Sequence, residues 1–351
     1  MKYLGRSLIV LIVVAIPLSW WGAATWINTQ LDWSLNVPEA EEDDAPGYYL
    51  DVPRGASLSR VLERLSEDGV IGSVWPLKIL ARQEDRQRIH AGEYLLLPGE
   101  NQRDLLYKLN RGDVIQYRIT FAEGLNLREW LALLRAEPKL EKEAAYLEEG
   151  DLIQLLNPSL KSLEGWLYPD TYQFTRGDSD LAILRRAYRT MQTVLADSWE
   201  KRADDLPYET PYEALIMASL IEKETGVPSE RPEIAGVFVR RLQMGMRLQT
   251  DPTVIYGLGE RFEGNLRREH LREPGPYNTY HIPALPPTPI AMPGKAAIEA
   301  ALNPAAGDTF YFVARGDGSH HFSRTLDEHN RAVRKYQIEK RRADYRSSPA
   351  R

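Results

Sequence analysis

The chain has 351 residues, 43% of them hydrophobic, with 50 acidic residues against 44 basic ones and a formal net charge of −6. That length suffices for two domains, and the acidic balance argues against a nucleic-acid partner, whose phosphates call for a basic face. The complete lack of cysteine excludes disulfides, zinc–thiolate sites and cysteine nucleophiles, and with His320 and His321 adjacent but no HExxH pairing, neither metal nor cofactor is expected.

From Ser7 to Ile27 the run SLIVLIVVAIPLSWWGAATWI carries no charge and has about the ~20 residues a helix needs to cross a bilayer. Lys2 and Arg6 precede it, and Glu39, Glu41, Glu42, Asp43 and Asp44 follow it. The positive-inside rule then leaves residues 1–6 in the cytoplasm and exports everything after the helix. Pro17 is tolerable in a membrane helix, and Trp20, Trp21, Trp26 and Trp33 suit the outer interface. A cleaved signal peptide, cut near Gly22, Ala23 and Ala24, is the competing reading, but the apolar run continues through Trp26 and Ile27 without a clean cleavage box. The expectation is a single-pass anchor at 7–27 in the inner membrane, followed by a linker over 28–46 that is acidic and proline-flanked from Asn36 to Pro46.

Residues 47–113 form a small unit. Tyr48–Val52 reads as a strand. Leu58, Val61, Leu62 and Leu65 have the spacing of an amphipathic helix over Ser57–Asp68, stopped by Gly69. Val74–Arg82 makes a second helix, Glu93–Leu97 a second strand, and Gln102–Arg111 a further helix ended by Gly112. This βααβ order resembles LysM modules, which recognise N-acetylglucosamine polymers, although a structural subdomain that binds no sugar gives the same order.

The rest of the folded chain, 114–340, reads as a mixed α+β domain with a tail at 341–351. A strand at Ile115–Phe121 precedes a helix over Leu127–Leu134 that Asn126 can cap. The charged stretch Glu137–Glu149 is simplest as a solvated helical region. Next, SLEGWLYPDTYQF sets Glu164, Trp166, Tyr168, Asp170, Tyr172 and Phe174 in a short turn-rich stretch. Aromatic faces beside carboxylates are what a pyranose needs, though they also occur in plain cores. A long helix is expected over Leu181–Arg202.

Ala214–Gly226, ALIMASLIEKETG, is a nearly uncharged helical run. At roughly 100° per residue, Glu213 and Glu224 fall on one side, while Glu222 points opposite, among Leu215, Ala218, Ser219 and Thr225. Glu222 is therefore expected to point inward, where apolar surroundings can keep a carboxyl protonated near neutral pH as a general acid. Glu224 is expected to be a solvated or structural neighbour. A surface glutamate on a core helix is the alternative for Glu222. Gly226, as a left-handed cap, and Pro228 are expected to end the helix.

Downstream come Gln249, Thr250, Asp251 and Tyr256, and then PYNTYHIPALPPTPIAMPG, a rigid proline-rich loop able to hold Tyr277, Asn278 and Tyr280 as a fixed wall. DTFYFVARGDGSHHFSRTLDEHNRAV reads as two short strands joined by a glycine turn, with a closing helix.

Five segments in order after one membrane helix, SLEGWLYPDTY, ALIMASLIEKETG, AGVFVRRLQMGMRLQTDPTVIYG, PYNTYHIPALPPTPIAMPG and GSHHFSRTLDEHN, resemble the endolytic murein transglycosylases of bacteria, and the resemblance covers essentially the whole chain. It implies an enzyme anchored in the inner membrane that faces the periplasm and cuts nascent peptidoglycan strands, with a LysM-like subdomain ahead of the catalytic one. It also implies that the catalytic glutamate is the first of the EKET motif, here Glu222. That carboxyl would protonate the oxygen between N-acetylmuramic acid and N-acetylglucosamine. It would then take the proton of the muramic C6 hydroxyl as this attacks its own anomeric carbon, leaving a 1,6-anhydro end. Gln249, Asp251, Tyr277, Asn278, Tyr280, Glu164 and Tyr168 are the candidates for gripping the sugar. Peptidoglycan strands are the expected substrate, and peptidoglycan synthases are plausible partners. Two alternatives stand beside this one: a hydrolase that activates water with a second carboxylate, best Asp251, and a noncatalytic wall-binding scaffold.

Overall fold

The computed structural model describes residues 19–37 and 47–339. The part of the expected membrane span before Ser19, the linker residues 38–46 and the expected tail 341–351 lie outside the described residues. Residues 19–31 form helix α1, with Trp20, Trp21 and Trp26 exposed. Thr25 and Thr29 donate back to carbonyls four residues earlier, at 2.8 and 2.9 Å. Among the described residues no helix is long and apolar enough to cross a membrane.

Two compact units divide the described residues, those up to 117 with 173–178 and those of 118–172 with 179–339. In the first, β1 (Tyr48–Val52) and β2 (Gly92–Leu96) pair antiparallel, from Tyr48 opposite Leu96 to Val52 opposite Gly92. Between them lie α2 (Leu58–Glu67) and α3 (Trp75–Gln83), and α4 (Gln102–Arg111) follows. The expected stripe of α2, Leu58, Val61, Leu62 and Leu65, is buried. It joins Leu50, Tyr94, Leu105 and Leu109, and also Leu31 and Leu35 from the end of α1 and beyond, in one apolar core. Asn101 and Asp104 form a reciprocal capping box at the start of α4, and Gly112 closes it at φ 74°. A side chain at Gly112 would meet the His90 ring at 2.8 Å, so the left-handed conformation and the close approach both call for glycine.

β3 (Tyr117–Thr120) and β4 (Thr171–Phe174) pair. The second unit contains α5 (Leu127–Ala136), α6 (Glu149–Leu156), α7 (Asp180–Trp199), α8 (Pro211–Glu224), α9 (Arg231–Gln243), α10 (Asp251–Leu258), α11 (Arg268–Arg272) and α12 (Lys295–Leu302). The antiparallel hairpin β5 (Tyr311–Ala314) and β6 (His320–Ser323) and helix α13 (Leu326–Val333) complete it. Thr210 and Glu213 form a capping box at the start of α8, with Pro211 in the first helical position. Every residue of α8 from Ala214 to Glu222 is then buried, and the helix packs against α7, α9, α10 and α12. A helix apolar on all sides belongs in the middle of a core, and each buried Leu, Ile or Met there stabilises by roughly 1.5–3 kcal/mol.

Two expectations need correction. Residues 137–148 are turns and irregular chain rather than a helix. The cause lies at the start of α7, where the fully buried Asp180 accepts the backbone N–H groups of Glu143, Ala144 and Ala145 at 2.8–2.9 Å. That clamp draws Leu140, Ala144 and Ala145 into the interior. At the end of α8 the stop is not a left-handed Gly226 but Thr225, extended at φ −140° and ψ 137°. Its hydroxyl accepts the Val227 N–H at 3.0 Å and donates to Glu230 at 3.2 Å.

Asp180→Ala would leave three backbone N–H donors, two of them enclosed, without their acceptor. It should lower the unfolding free energy by about 3 kcal/mol in urea titrations, and an unchanged midpoint would show that the clamp is dispensable.

Candidate active site

The second unit carries a half-open cavity of about 1250 Å³. Its walls come from the end of α8, the start of α5, Glu164, Arg241 of α9, the segment 248–256, the tyrosines of the 276–294 loop, and the hairpin with α13. Glu224, the last residue of α8, opens on it. The Thr250 hydroxyl donates to its Oε1. Burial pushes the Glu224 carboxyl up to about 7; the Thr250 bond opposes this, the Asp251 charge adds to it, and the Arg241 charge opposes it.

Arg241 organises the wall behind that carboxyl. It is buried, and its Nε donates to the Phe310 carbonyl at 2.7 Å while Nη1 donates to those of Leu248 and Arg247 at 2.8 and 3.1 Å. The guanidinium also lies 5.0 Å over the Tyr311 ring. One side chain thus ties α9 to the hairpin and to the chain entering α10. Gln249, in that chain, has φ 56°, a left-handed conformation that a residue other than glycine adopts at a cost and that marks a constrained turn. Thr250, Thr253 and Thr279 are almost fully buried. The Thr253 and Thr279 hydroxyls lie 2.9 Å apart, and the Thr250 N–H donates to Thr279 Oγ1 at 3.0 Å, which fastens the tyrosine loop to α10.

Glu164 supplies a second enclosed carboxyl. Its oxygens accept the Leu127 N–H at 3.1 and 3.2 Å and the Tyr256 hydroxyl at 3.0 Å. Burial pushes it up to about 7 against those hydrogen bonds, with Glu149 and Glu129 adding to the rise. Tyr256 stands edge-on to Tyr277 at 5.0 Å, and Tyr280 donates to Asp251 Oδ1 at 2.6 Å. Two raised carboxyls, paired tyrosines and an amide in one cavity form a site suited to protonating and gripping a polyhydroxylated chain.

The sequence pattern of the YceG-like family matches residues 50–335. The chain belongs to this family. An endolytic murein transglycosylase of Bacillus subtilis is 32% identical over 313 residues, 84% of this chain and 86% of that protein. Another, from Streptococcus pneumoniae, is 25% identical over 80% of this chain and 57% of its own length. A crystal structure of a putative YceG-like protein from Listeria monocytogenes shares 31% identity with a TM-score of 0.52, covering 82% of this chain and 99% of that one.

In this YceG-like chain the cavity gathers Glu164, Gln249, Asp251, Tyr277 and Tyr280. Glu222, Tyr168 and Asn278 are not among its lining residues. Glu222 does point inward, at 7% exposure, but toward a different neighbourhood. Its Oε2 accepts the Gly294 N–H at 3.1 Å, and its Oε1 lies 3.6 Å from Arg231, which also sits 3.5 Å from Glu123. A Cβ at Gly294 would fall 1.7 Å from the Glu123 carboxylate, so glycine lets this ion cluster close. Tyr168 accepts the Tyr172 hydroxyl at its carbonyl, 2.6 Å away, and packs on the core. Asn278 is buried, with its Nδ2 facing the carbonyls of His270, Leu271 and Glu273 at 2.8–3.3 Å and its Oδ1 accepting the Tyr280 N–H. It shapes the loop and has no amide hydrogen left for a sugar.

Sequence reading did not place Glu224 or Arg241 at this cavity, which both residues line. Arg241 sits in a run, VRRLQ, in which charge suggests solvent.

The two raised carboxyls have a consequence for stability. Folded values of about 7 against 4.5 for an exposed glutamate mean that between those pH values the folded chain holds protons that the unfolded chain has released. Their contribution is fully present below 4.5 and lost as pH rises through about 7. Unfolding free energy should fall across that window by on the order of 3 kcal/mol per group. Glu164→Gln and Glu224→Gln should each flatten the slope, and a double variant as steep as wild type would contradict the assignment.

Proposed function

We propose that this chain is an endolytic murein transglycosylase that cuts the bond between N-acetylmuramic acid and N-acetylglucosamine within peptidoglycan strands, with Glu224 as the general acid. One observation carries the reading: a carboxyl raised to about 7 at the wall of a large polar and aromatic cavity. The similarity to transglycosylases over most of the chain supports the substrate. Near neutral pH a substantial fraction of Glu224 holds its proton and can give it to the glycosidic oxygen as positive charge develops on the muramic sugar. The C6 hydroxyl of that sugar then attacks its own anomeric carbon. No water enters, and the tethered nucleophile gains from proximity. Gln249, Asp251, Tyr277 and Tyr280 would orient the sugar, with Glu164 holding Tyr256 behind them.

The finer readings belong to the same proposal. The uncharged run at 7–27 would anchor the protein in the inner membrane, with the enzyme in the periplasm where strands emerge and synthases could be neighbours. The antiparallel βααβ unit would guide glycan in the manner of LysM modules. A hydrolase that uses Asp251 to activate water is the second reading, favoured by the position of that carboxylate in the same cavity.

Glu224→Gln should lower strand cleavage by about 10²-fold or more while leaving binding to sacculi intact. Glu222→Gln should cleave within a few-fold of wild type and instead lose about 1–3 kcal/mol of stability from the Arg231 cluster. The reverse ranking in a muropeptide-release assay would return the acid to Glu222. Cleavage should also fall as pH rises through about 7, the value to which burial lifts Glu224. Thr250→Val removes a bond that lowers that value, so the fall should move to higher pH; a shift to lower pH would refute the assignment.

A further inference from the structure

The GSHHF segment has no part in the chemistry above, yet it places a built pair of side chains at the cavity wall. Glu230 ends the turn Pro228–Glu230 and is buried with both oxygens engaged. Its Oε1 accepts the backbone N–H of His320 at 2.7 Å. Its Oε2 accepts the Thr225 hydroxyl at 3.2 Å and lies 2.8 Å from Nδ1 of His320. A carboxylate can only accept, so Nδ1 is the donor in this contact, and the tautomer it selects presents Nε2 as a lone pair. The ring is fixed edge-on against Phe312 at 5.5 Å, and Phe312 packs edge-on against Phe238 at 5.7 Å.

His320 lines the same cavity as Glu224. Its Nε2 has no hydrogen-bond partner among the described residues and is not one of the enclosed unpartnered atoms, whereas Nδ1 of His329 is enclosed and unpartnered among them. The chain of contacts from imidazole to carboxylate to hydroxyl ends at Thr225, the residue after Glu224. Carboxylate, oriented imidazole and open Nε2 together make the arrangement by which a histidine takes a proton from a hydroxyl and is stabilised as it becomes charged.

We propose that His320, oriented by Glu230, is the base that receives the C6-hydroxyl proton, so that acid and base are separate residues. This inference rests on the transglycosylase reading. As the bond from O6 to C1 of the muramic sugar forms, the bond from C1 to the leaving oxygen breaks. Glu224 gives its proton to that oxygen, and Nε2 takes the proton of O6. Glu224 is left as a carboxylate and His320 as an imidazolium facing Glu230, and the proton returns to Glu224 through solvent after the product departs. A single carboxyl would have to reach both oxygens of one bound sugar, and the second group removes that requirement.

Turnover on purified glycan, expressed per molecule that retains glycan binding so that misfolded protein does not count, tests the assignment. His320→Gln should lower kcat by about 10²-fold with KM within about threefold. His320→Gly should recover at least about tenfold with added imidazole, which a structural role would not permit. Glu230 is a positioning residue: Glu230→Gln should lower kcat by about tenfold, and ¹⁵N shifts of His320 should lose the Nδ1–H tautomer. A His320→Gln kcat within threefold of wild type, or a His320→Gly variant indifferent to imidazole, would overturn the proposal. Wild type that releases only reducing ends would remove the transglycosylase reading whatever the variants do. Anhydro ends from wild type with an unimpaired His320→Gln would remove His320 alone.

Discussion

Enclosure of α8 is the constraint on which the site depends. With every side chain from Ala214 to Glu222 buried, the helix can neither rotate nor slide without breaking contacts on all sides at once. Its last turn is therefore delivered to a fixed place. There the two glutamates of IEKET part company: Glu222 is held by Gly294 and Arg231, and Glu224 meets Thr250 at the cavity. Thr225 then breaks the helix by turning extended, and its hydroxyl reaches Glu230 beside His320.

Around that end the wall is made of loops, and loops need fastening. Arg241 does so from behind with carbonyl contacts on two sides, and the Thr250, Thr253 and Thr279 hydroxyls do so from the side. A buried guanidinium bonded to carbonyls and stacked on Tyr311 satisfies its donors without cancelling its charge. That charge moderates the rise of Glu224, while burial remains the larger effect. The Glu224 carboxyl is thus tuned by the same group that holds its surroundings in place.

Local signals read from the sequence carried far in this chain. The cap at Asn126, the stripe of α2 and the stop at Gly112 follow from residue type and spacing, because each acts on its own turn. The closing hairpin and helix were equally legible. Misreadings came where a distant partner decides. Asp180 turns a charged stretch into a clamped loop, which nothing within residues 137–149 announces. Angular placement on a helix separates buried from solvated faces only when a solvated face exists, and α8 has none over its middle. Glu213 and Glu224 share a direction, but one caps the exposed start and the other ends in a cavity. Composition could not tell that the amide of Asn278 bonds backbone while Gln249 stays on the wall.

The most direct measurement is mass analysis of the ends that the full-length protein makes on uncrosslinked glycan in H₂¹⁸O. A waterless cleavage predicts 1,6-anhydro-N-acetylmuramic acid at every new end, with no ¹⁸O incorporated. Reducing N-acetylmuramic acid carrying ¹⁸O would contradict it.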